Sequence, residues 1–506
     1  MADLEQTFEA LVAEARETAL LQTTADALEW DERTGMPPQA GEYRAEQVTL
    51  LRGMIHRRRT TEQLGERLAA LANWERAADP HSDVGATIRW MQEDYRRDCR
   101  LPQQLVEALS RATVRGQQRW DEARRADDFG KFLPALEEIV RLKREAAAAL
   151  ARPGQSLYDA LLDEYEPGAK AAELSRVFAE LRVELVRLVD ELRGAPHQPQ
   201  VSILERSYPI EGQRRLSWMA AEAVGFDFSR GRLDETSHPF CTSLGPDDCR
   251  ILTRYERNWF SGGLFGTLHE AGHGLYDQGL RGEWYGLPPG TFVSLGIHES
   301  QSRMWENLVG RSRAFWSYFY PRLGEVFPEV VDDVSLDDFH HAVNVVRPSL
   351  IRVEADEATY NLHIIVRFEL EQRLLEGELE ARDLPEAWNA AYATTIGITP
   401  PSDADGVLQD VHWSAGLIGY FPTYTLGNLY AAQLFEAAAG QLGDLDAMFA
   451  RGEFAPLLQW LRQNIHRHGR CFTPAELIEK ATGKSPESGP LIQSLRQRYA
   501  PLYGIG

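Results

Sequence analysis

Residues 172–193 read AELSRVFAELRVELVRLVDELR, with Leu174, Phe178, Leu181, Leu185, Leu188 and Leu192 three or four positions apart and Arg and Glu between them. Side chains at that spacing share one helical face, so the stretch predicts a long helix with one apolar side and one solvated side. Residues 132–151, FLPALEEIVRLKREAAAALA, have the same texture, and most of the first 195 residues repeats it. The opening MADLEQTFEALVAEARETALLQ assigns Leu4, Phe8, Leu11, Ala15 and Leu20 to one face of an amphipathic helix; it has no basic start followed by an apolar core, as a secretory leader would. Breaks are expected where Pro and Gly gather, at 35–41, 152–154, 166–168, 194–200, 287–290 and 399–406. With no long polar linker and no repeat of about 20–50 residues, one large helical body over residues 1–506 is expected rather than a string of small domains. The strand candidates are few and central: VSIL at 201–204, CRILTRY at 249–255 and TFVSL at 291–295.

Composition narrows the function. The 506 residues are 43% hydrophobic and 26% charged, and 76 Asp plus Glu against 54 Lys plus Arg leave a formal charge of −22. A surplus of that size repels phosphate backbones and anionic lipid surfaces, so nucleic acid and membrane are not expected partners. The basic residues are 5 Lys and 49 Arg, so positive charge is almost wholly guanidinium, the form suited to forked recognition of carboxylates. The run Ala146–Leu150 is far short of the ~20 apolar residues that span a bilayer. The four cysteines, Cys99, Cys241, Cys249 and Cys471, form no CxxC pair; a reducing cytoplasm is expected, and a cysteine-ligated metal is not.

The chemistry gathers in FSGGLFGTLHEAGHGLYDQGL, residues 260–280, where His269, Glu270 and His273 spell HExxH. On a helix, His269 and His273 share a face and can bind one divalent ion, while Glu270 sits close enough to handle a water proton. Gly272 and Gly274 weaken such a helix by propensity but let other backbone approach closely. A catalytic zinc needs a third protein ligand and an open fourth position. Glu299, in TFVSLGIHESQSRMWENLVG at 291–310, leads, and its neighbour His298 competes. Adjacent helical residues diverge by about 100°, so one of the two should face the metal and the other should not. Glu306 returns to the Glu299 face seven residues on. Two His and a carboxylate suit Zn2+ and also accept Co2+, one ion per subunit.

At this point the sequence resembles the Taq-type thermostable metallocarboxypeptidases. The likeness begins in ALEWDERTGMPPQAGEYRAEQ at 27–47, with Trp30, Asp31, Thr34, Met36, Pro37, Gly41, Arg44 and Gln47. It continues through HPF at 238–240, HEAGH, HESQ at 298–301, IRVEAD at 351–356 and GVLQDVHW at 406–413. One departure is visible: the family's DxRxT is here Asp248, Cys249, Arg250, Ile251, Leu252, so a hydroxyl is lost unless Thr253 substitutes for it. The resemblance implies His269, His273 and Glu299 as metal ligands and Glu270 as general acid and base. It also implies removal of single residues from free peptide C-termini with broad side-chain tolerance, and a homodimer. The expected architecture is accordingly mainly α, with a helical N-terminal part (1–200), a catalytic part (201–506), a long substrate groove and a small β-sheet near the metal site.

Hydrolysis also needs donors for the developing oxyanion and a receptor for the terminal carboxylate. GVLQDVHWSAGLIGYFPTYTLGNLY at 406–430 supplies His412, Tyr420 and Tyr424 as candidates; the resemblance to helical gluzincin peptidases, with a His and a Tyr placed downstream in this way, implies His412 with Tyr424 as donors, and Tyr420 is an expected substrate contact, although aromatics at these positions also suit a core. His238, before Pro239, is a candidate for holding substrate backbone, with an ordinary turn histidine as the alternative. Arg352 is the first candidate for the carboxylate. If the segment is helical, Arg352 shares a face with Asp356, four residues on, and the plain alternative is an internal salt bridge between the two. Arg250 and Arg347 are further candidates, whereas His363, among apolar residues in TYNLHIIVRFELE, is expected in the core. Two other functions are compatible with these motifs: an oligopeptidase or dipeptidyl carboxypeptidase of the same chemistry, and a helical metal-binding scaffold without turnover.

Overall fold

The computed structural model describes residues 2–505, and these form a mainly α-helical protein with one three-stranded sheet. The chain divides into two compact units, each assembled from three separated stretches. The first comprises Met1–Asp98, Pro199–Val343 and Tyr430–Ser485; the second comprises Cys99–Gln198, Asn344–Leu429 and Pro486–Gly506.

In the second unit, the helix Ala171–Arg193 buries Leu174, Phe178, Leu181, Leu185, Leu188 and Leu192, the stripe read from its sequence. Each such side chain contributes about 1.5–3 kcal/mol when fully withdrawn from water. Their partner is the helix Glu357–Glu376, where Phe368 meets Phe178 with ring centroids 5.0 Å apart. That helix is buried on nearly every side, from Ala358 through Leu375, as befits a central strut. Asp356 caps its start by accepting from the backbone N–H of Ala358 and Thr359, and Gly377, at φ 84°, ends it in the left-handed region. His363 is fully buried within it, with Nδ1 3.0 Å from the Tyr392 hydroxyl; burial holds this imidazole well below its usual pKa.

In the first unit, the helix Ala2–Thr34 packs Phe8 and Leu11 against Leu64, Leu68, Leu71, Trp74, Val84 and Ile88. Leu20, expected on the same stripe, is 59% exposed. It lies five residues beyond Ala15, about 140° off that face at 3.6 residues per turn. The buried stripe runs instead through Leu11, Thr18 and Ala25 at seven-residue intervals.

Of the three expected strands only one forms. β1 (Gly231–Glu235) pairs in parallel with β3 (Cys249–Thr253), and β2 (Phe240–Ser243) pairs antiparallel with β3 on its other side. Val201–Ile203 is instead a single 3-10 turn, after which Leu204 enters the core. Thr291 and its neighbours lead into a helix, Leu295–Arg303, whose N-cap Ser294 accepts from the Ile297 N–H. Apolar runs located only the central strand, because β1 and β2 are half-exposed edges carrying GRLDE and FCTS rather than an apolar pattern. Leu252, at the position where a Thr was expected, is fully buried, and Thr253 next to it donates its hydroxyl to the Gly263 carbonyl.

Candidate functional site

The helix Phe260–Asp277 carries HExxH and is buried against two neighbours, each admitted by a missing side chain. A Cβ on Gly274 would lie 2.6 Å from the Phe226 ring and 3.2 Å from the Cys249 sulfur of β3. A Cβ on Gly272 would lie 2.6 Å from the Gln301 carbonyl oxygen and from Ser302 Cα, in the helix Leu295–Arg303. The Gly272 contact is backbone and cannot rotate away. Gly272→Ala is therefore expected to destabilise the protein by about 1–3 kcal/mol and to weaken metal binding by forcing the two helices apart. A denaturant midpoint and a metal titration check this, and an unchanged variant would show that the ligands do not depend on this contact.

Across that contact the side chains converge. His273 Nε2 lies 3.4 Å and His269 Nε2 3.7 Å from Glu299 Oε2, and one donor atom from each of the three residues falls within 4.8 Å of the others. The far side of each ring is also engaged. His269 Nδ1 is 2.9 Å from Glu306 Oε2. His273 Nδ1 meets His298 Nδ1, and His298 Nε2 is 3.1 Å from Asp277 Oδ1. These contacts assign the tautomers. A carboxylate accepts only, so His298 carries its proton on Nε2 and accepts at Nδ1 from His273. Both His269 and His273 then donate from Nδ1 and turn Nε2 toward Glu299, the arrangement that orients imidazole ligands at metal sites. His298, the rival for third ligand, thus points the other way, as the 100° step predicts.

Glu299 is prepared for charge. Its Oε1 accepts from Arg303 Nε at 2.7 Å and its Oε2 from Ser302 Oγ at 3.1 Å. Burial opposes ionisation, yet Arg303 and the two imidazoles hold this carboxyl far below the usual range. Glu306 behaves alike: against the burial penalty, Arg303 and His269 bring it down to about 2. It sits in a π-helical turn, Met304–Val309, that continues from Arg303. Burial holds His273 down at about 4, which keeps it neutral and available as a ligand. Glu270 differs from its neighbours: it is 6% exposed, and burial pushes it up to about 7, with His269 opposing and Glu299 reinforcing the shift. Two acids sharing one site with divergent proton affinities suit one for ligation and the other for proton transfer. Asp277 and Arg303 were not singled out in the sequence, though each lies four residues after a ligand candidate, His273 and Glu299, and so on its face.

The remaining candidates belong to the second unit, apart from His238 and Arg250. Arg352 is 5% exposed and lies in a 3-10 turn, Arg352–Glu354, outside the following helix. Its Nε and Nη2 donate to Asp410 Oδ1 at 2.9 and 2.8 Å, and Nη1 donates to the Tyr360 hydroxyl at 2.9 Å. The Arg352–Asp356 salt bridge, the plain alternative, does not form, because no helix joins them: Asp356 is consumed as an N-cap and also accepts from the Arg347 N–H. Asp410 also takes Arg367 Nε at 2.6 Å, so two buried guanidiniums share one carboxylate. His412 Nε2 lies 3.2 Å from the Tyr424 hydroxyl, and burial holds the ring down at about 3 despite Asp410. Tyr420 packs edgewise on Tyr424, with centroids 5.4 Å apart. In the first unit, His238 is exposed in the bend between β1 and β2, and Arg250 forks onto Asp248 and stacks on Trp30, 4.2 Å from its ring centre.

Residues 10–499 match the sequence profile of the carboxypeptidase Taq (M32) metallopeptidases. The chain is 49% identical over 508 residues to thermostable carboxypeptidase 1 of Thermus thermophilus, covering 99% of both. It is 39% identical over 476 residues to carboxypeptidase 1 of Bacillus subtilis, covering 94% of both. Among solved structures, the M32 carboxypeptidase from Deinococcus radiodurans R1 superposes with a TM-score of 0.95 at 42% identity, covering 99% of this chain and 100% of that one.

Proposed function

We propose, for a chain that belongs to the carboxypeptidase Taq (M32) metallopeptidase family, a zinc-type ion held by His269, His273 and Glu299, with Glu270 as general base in release of single C-terminal residues. The family makes the protein a metallocarboxypeptidase, a peptide hydrolase that uses a divalent metal. The observation that carries the residue assignment is the cluster of His269, His273 and Glu299 donor atoms within 4.8 Å, with each imidazole's other nitrogen tied back. Two imidazoles with a carboxylate and no sulfur suit zinc and accept cobalt, one such ion per subunit. When bound, the ion supplies Lewis acidity, polarising the scissile carbonyl and acidifying water.

The chain's own residues do the rest. Glu270 takes a proton from the attacking water and delivers it to the departing amine, and its raised proton affinity suits both transfers. His412 and Tyr424 are assigned as neutral donors to the developing oxyanion: His412 is held uncharged, and its contact with Tyr424 fixes both rings. Tyr420 and His238 are assigned to substrate contact. Arg352 is assigned the terminal carboxylate. Three of its five N–H groups are engaged, and the Arg352–Arg367–Asp410 cluster retains one net positive charge that a substrate carboxylate would neutralise.

The family profile spans both units, which supports residues 1–506 as one metallopeptidase domain. Peptides are the substrate, and a cytoplasmic homodimer is the proposed form. Four free cysteines support a reducing compartment, and among the described residues no helix is long and apolar enough to cross a membrane.

The metal-loaded enzyme given one peptide as free acid and as C-terminal amide tests the register. Loss of the buried charge partner is expected to slow the amide by roughly 100-fold. Equal cleavage of the two would replace this reading with an oligopeptidase.

A further inference from the structure

We infer that Cys241, Cys249 and Asp277 form a second cation site, for a thiophilic divalent ion such as Zn2+ or Cd2+, separate from the one on HExxH. In β2, Cys241 stands opposite Ile251 of β3, so Cys249, two residues before Ile251, lies on the same face of the sheet as its diagonal neighbour. That face meets the helix Phe260–Asp277, which brings Asp277 to the pair. The sulfurs are 3.8 Å apart, Asp277 Oδ2 is 3.9 Å from Cys241 Sγ, and the three donor atoms lie within 4.8 Å of one another.

The spacing suits an ion better than a disulfide. Two thiolates at about 2.3 Å from a tetrahedral zinc are separated by about 3.8 Å. A disulfide needs Cα atoms about 4.4–6.8 Å apart, whereas diagonal cross-strand residues sit at about 7–8 Å. Asp277 is also oriented for ligation, because its Oδ1 accepts from His298 and this leaves Oδ2 toward the sulfurs. Gly274 keeps the space open, since a Cβ there would press on Cys249 at 3.2 Å, and the Gly274 carbonyl is the other polar neighbour of that sulfur, at 3.8 Å. Cys249 is buried and Cys241 half-buried, so the ion has an approach from Cys241 and a fourth position for water. On binding, each thiol releases its proton to solvent as its sulfur–metal bond forms. Residues eight apart in sequence gave no sign of this, because β2–β3 pairing alone makes them neighbours.

Full-length reduced enzyme loaded with Co2+ provides the test. The HExxH site has no sulfur ligand, so a thiolate-to-cobalt charge-transfer band in the near ultraviolet, with two ions bound per chain, is the expected result. Cys241→Ser and Cys249→Ala should each abolish the band and lower the stoichiometry from two to one, while retained peptide hydrolysis shows that the fold is intact. One ion per chain with no band in the unsubstituted enzyme would overturn the proposal, and that measurement decides even if a variant fails to fold. A band that survives both substitutions would overturn it too.

Discussion

Glu270→Gln is expected to lower kcat by about 10²–10⁴-fold while the protein still binds its metal and keeps its unfolding midpoint. The side chains are nearly equal in volume, and neither His269 nor His273 hydrogen-bonds to Glu270; their outer nitrogens engage Glu306 and His298. Ligand geometry therefore survives the substitution. What disappears is a carboxylate that burial raises to about 7, the group proposed to take a proton from water and return it to an amine. An amide can do neither. Metal content measured beside single-turnover hydrolysis separates loss of the base from loss of the ion, and hydrolysis at the parent rate would remove Glu270 from the mechanism.

Asp410→Asn is expected to destabilise the protein by about 3–5 kcal/mol, the range for removing one partner from a buried ion cluster. Among the described residues, Asp410 is the only acid paired with Arg352 and Arg367, whose side chains are 7% and 0% exposed. Burial alone would keep its carboxyl protonated, but the two guanidiniums hold it far below the usual range. The isosteric amide keeps the packing and leaves two positive charges in a dry site with no counter-ion. The shift in denaturant midpoint should exceed by several-fold that for Glu380→Gln, whose partner Arg382 lies with it on the surface, where such pairs contribute little. Equal shifts for the two variants would mean that water solvates the Asp410 cluster.

Asp410 also shows where reading the sequence stops. It stands inside GVLQDVHW, yet the residue it answers, Arg352, is 58 positions away, and the nearer Asp356 offered a simpler partner on the assumption of a continuous helix. The chain instead breaks at a 3-10 turn and starts its helix with Asp356 as the cap. Two of three expected strands failed for a related reason. A ladder needs a partner, and neither VSIL nor TFVSL has one, whereas the polar GRLDE and FCTS become strands because β3 lies between them.

Whatever one helical turn can express was legible in the sequence: the stripe of Ala171–Arg193, His269 and His273 on one face, and the divergence of His298 from Glu299. Those follow from a periodicity of 3.6 residues, which operates over a few neighbours and needs no knowledge of the rest of the chain. Which buried charge answers which, and which sulfurs meet, depended on how distant stretches of the chain pack. A charge withdrawn from water must find its partner wherever the chain crosses, and no local spacing records that crossing. Gly272 marks the boundary between the two: its place in HEAGH is plain in the sequence, but its contact with Gln301 appears only when the helices pack.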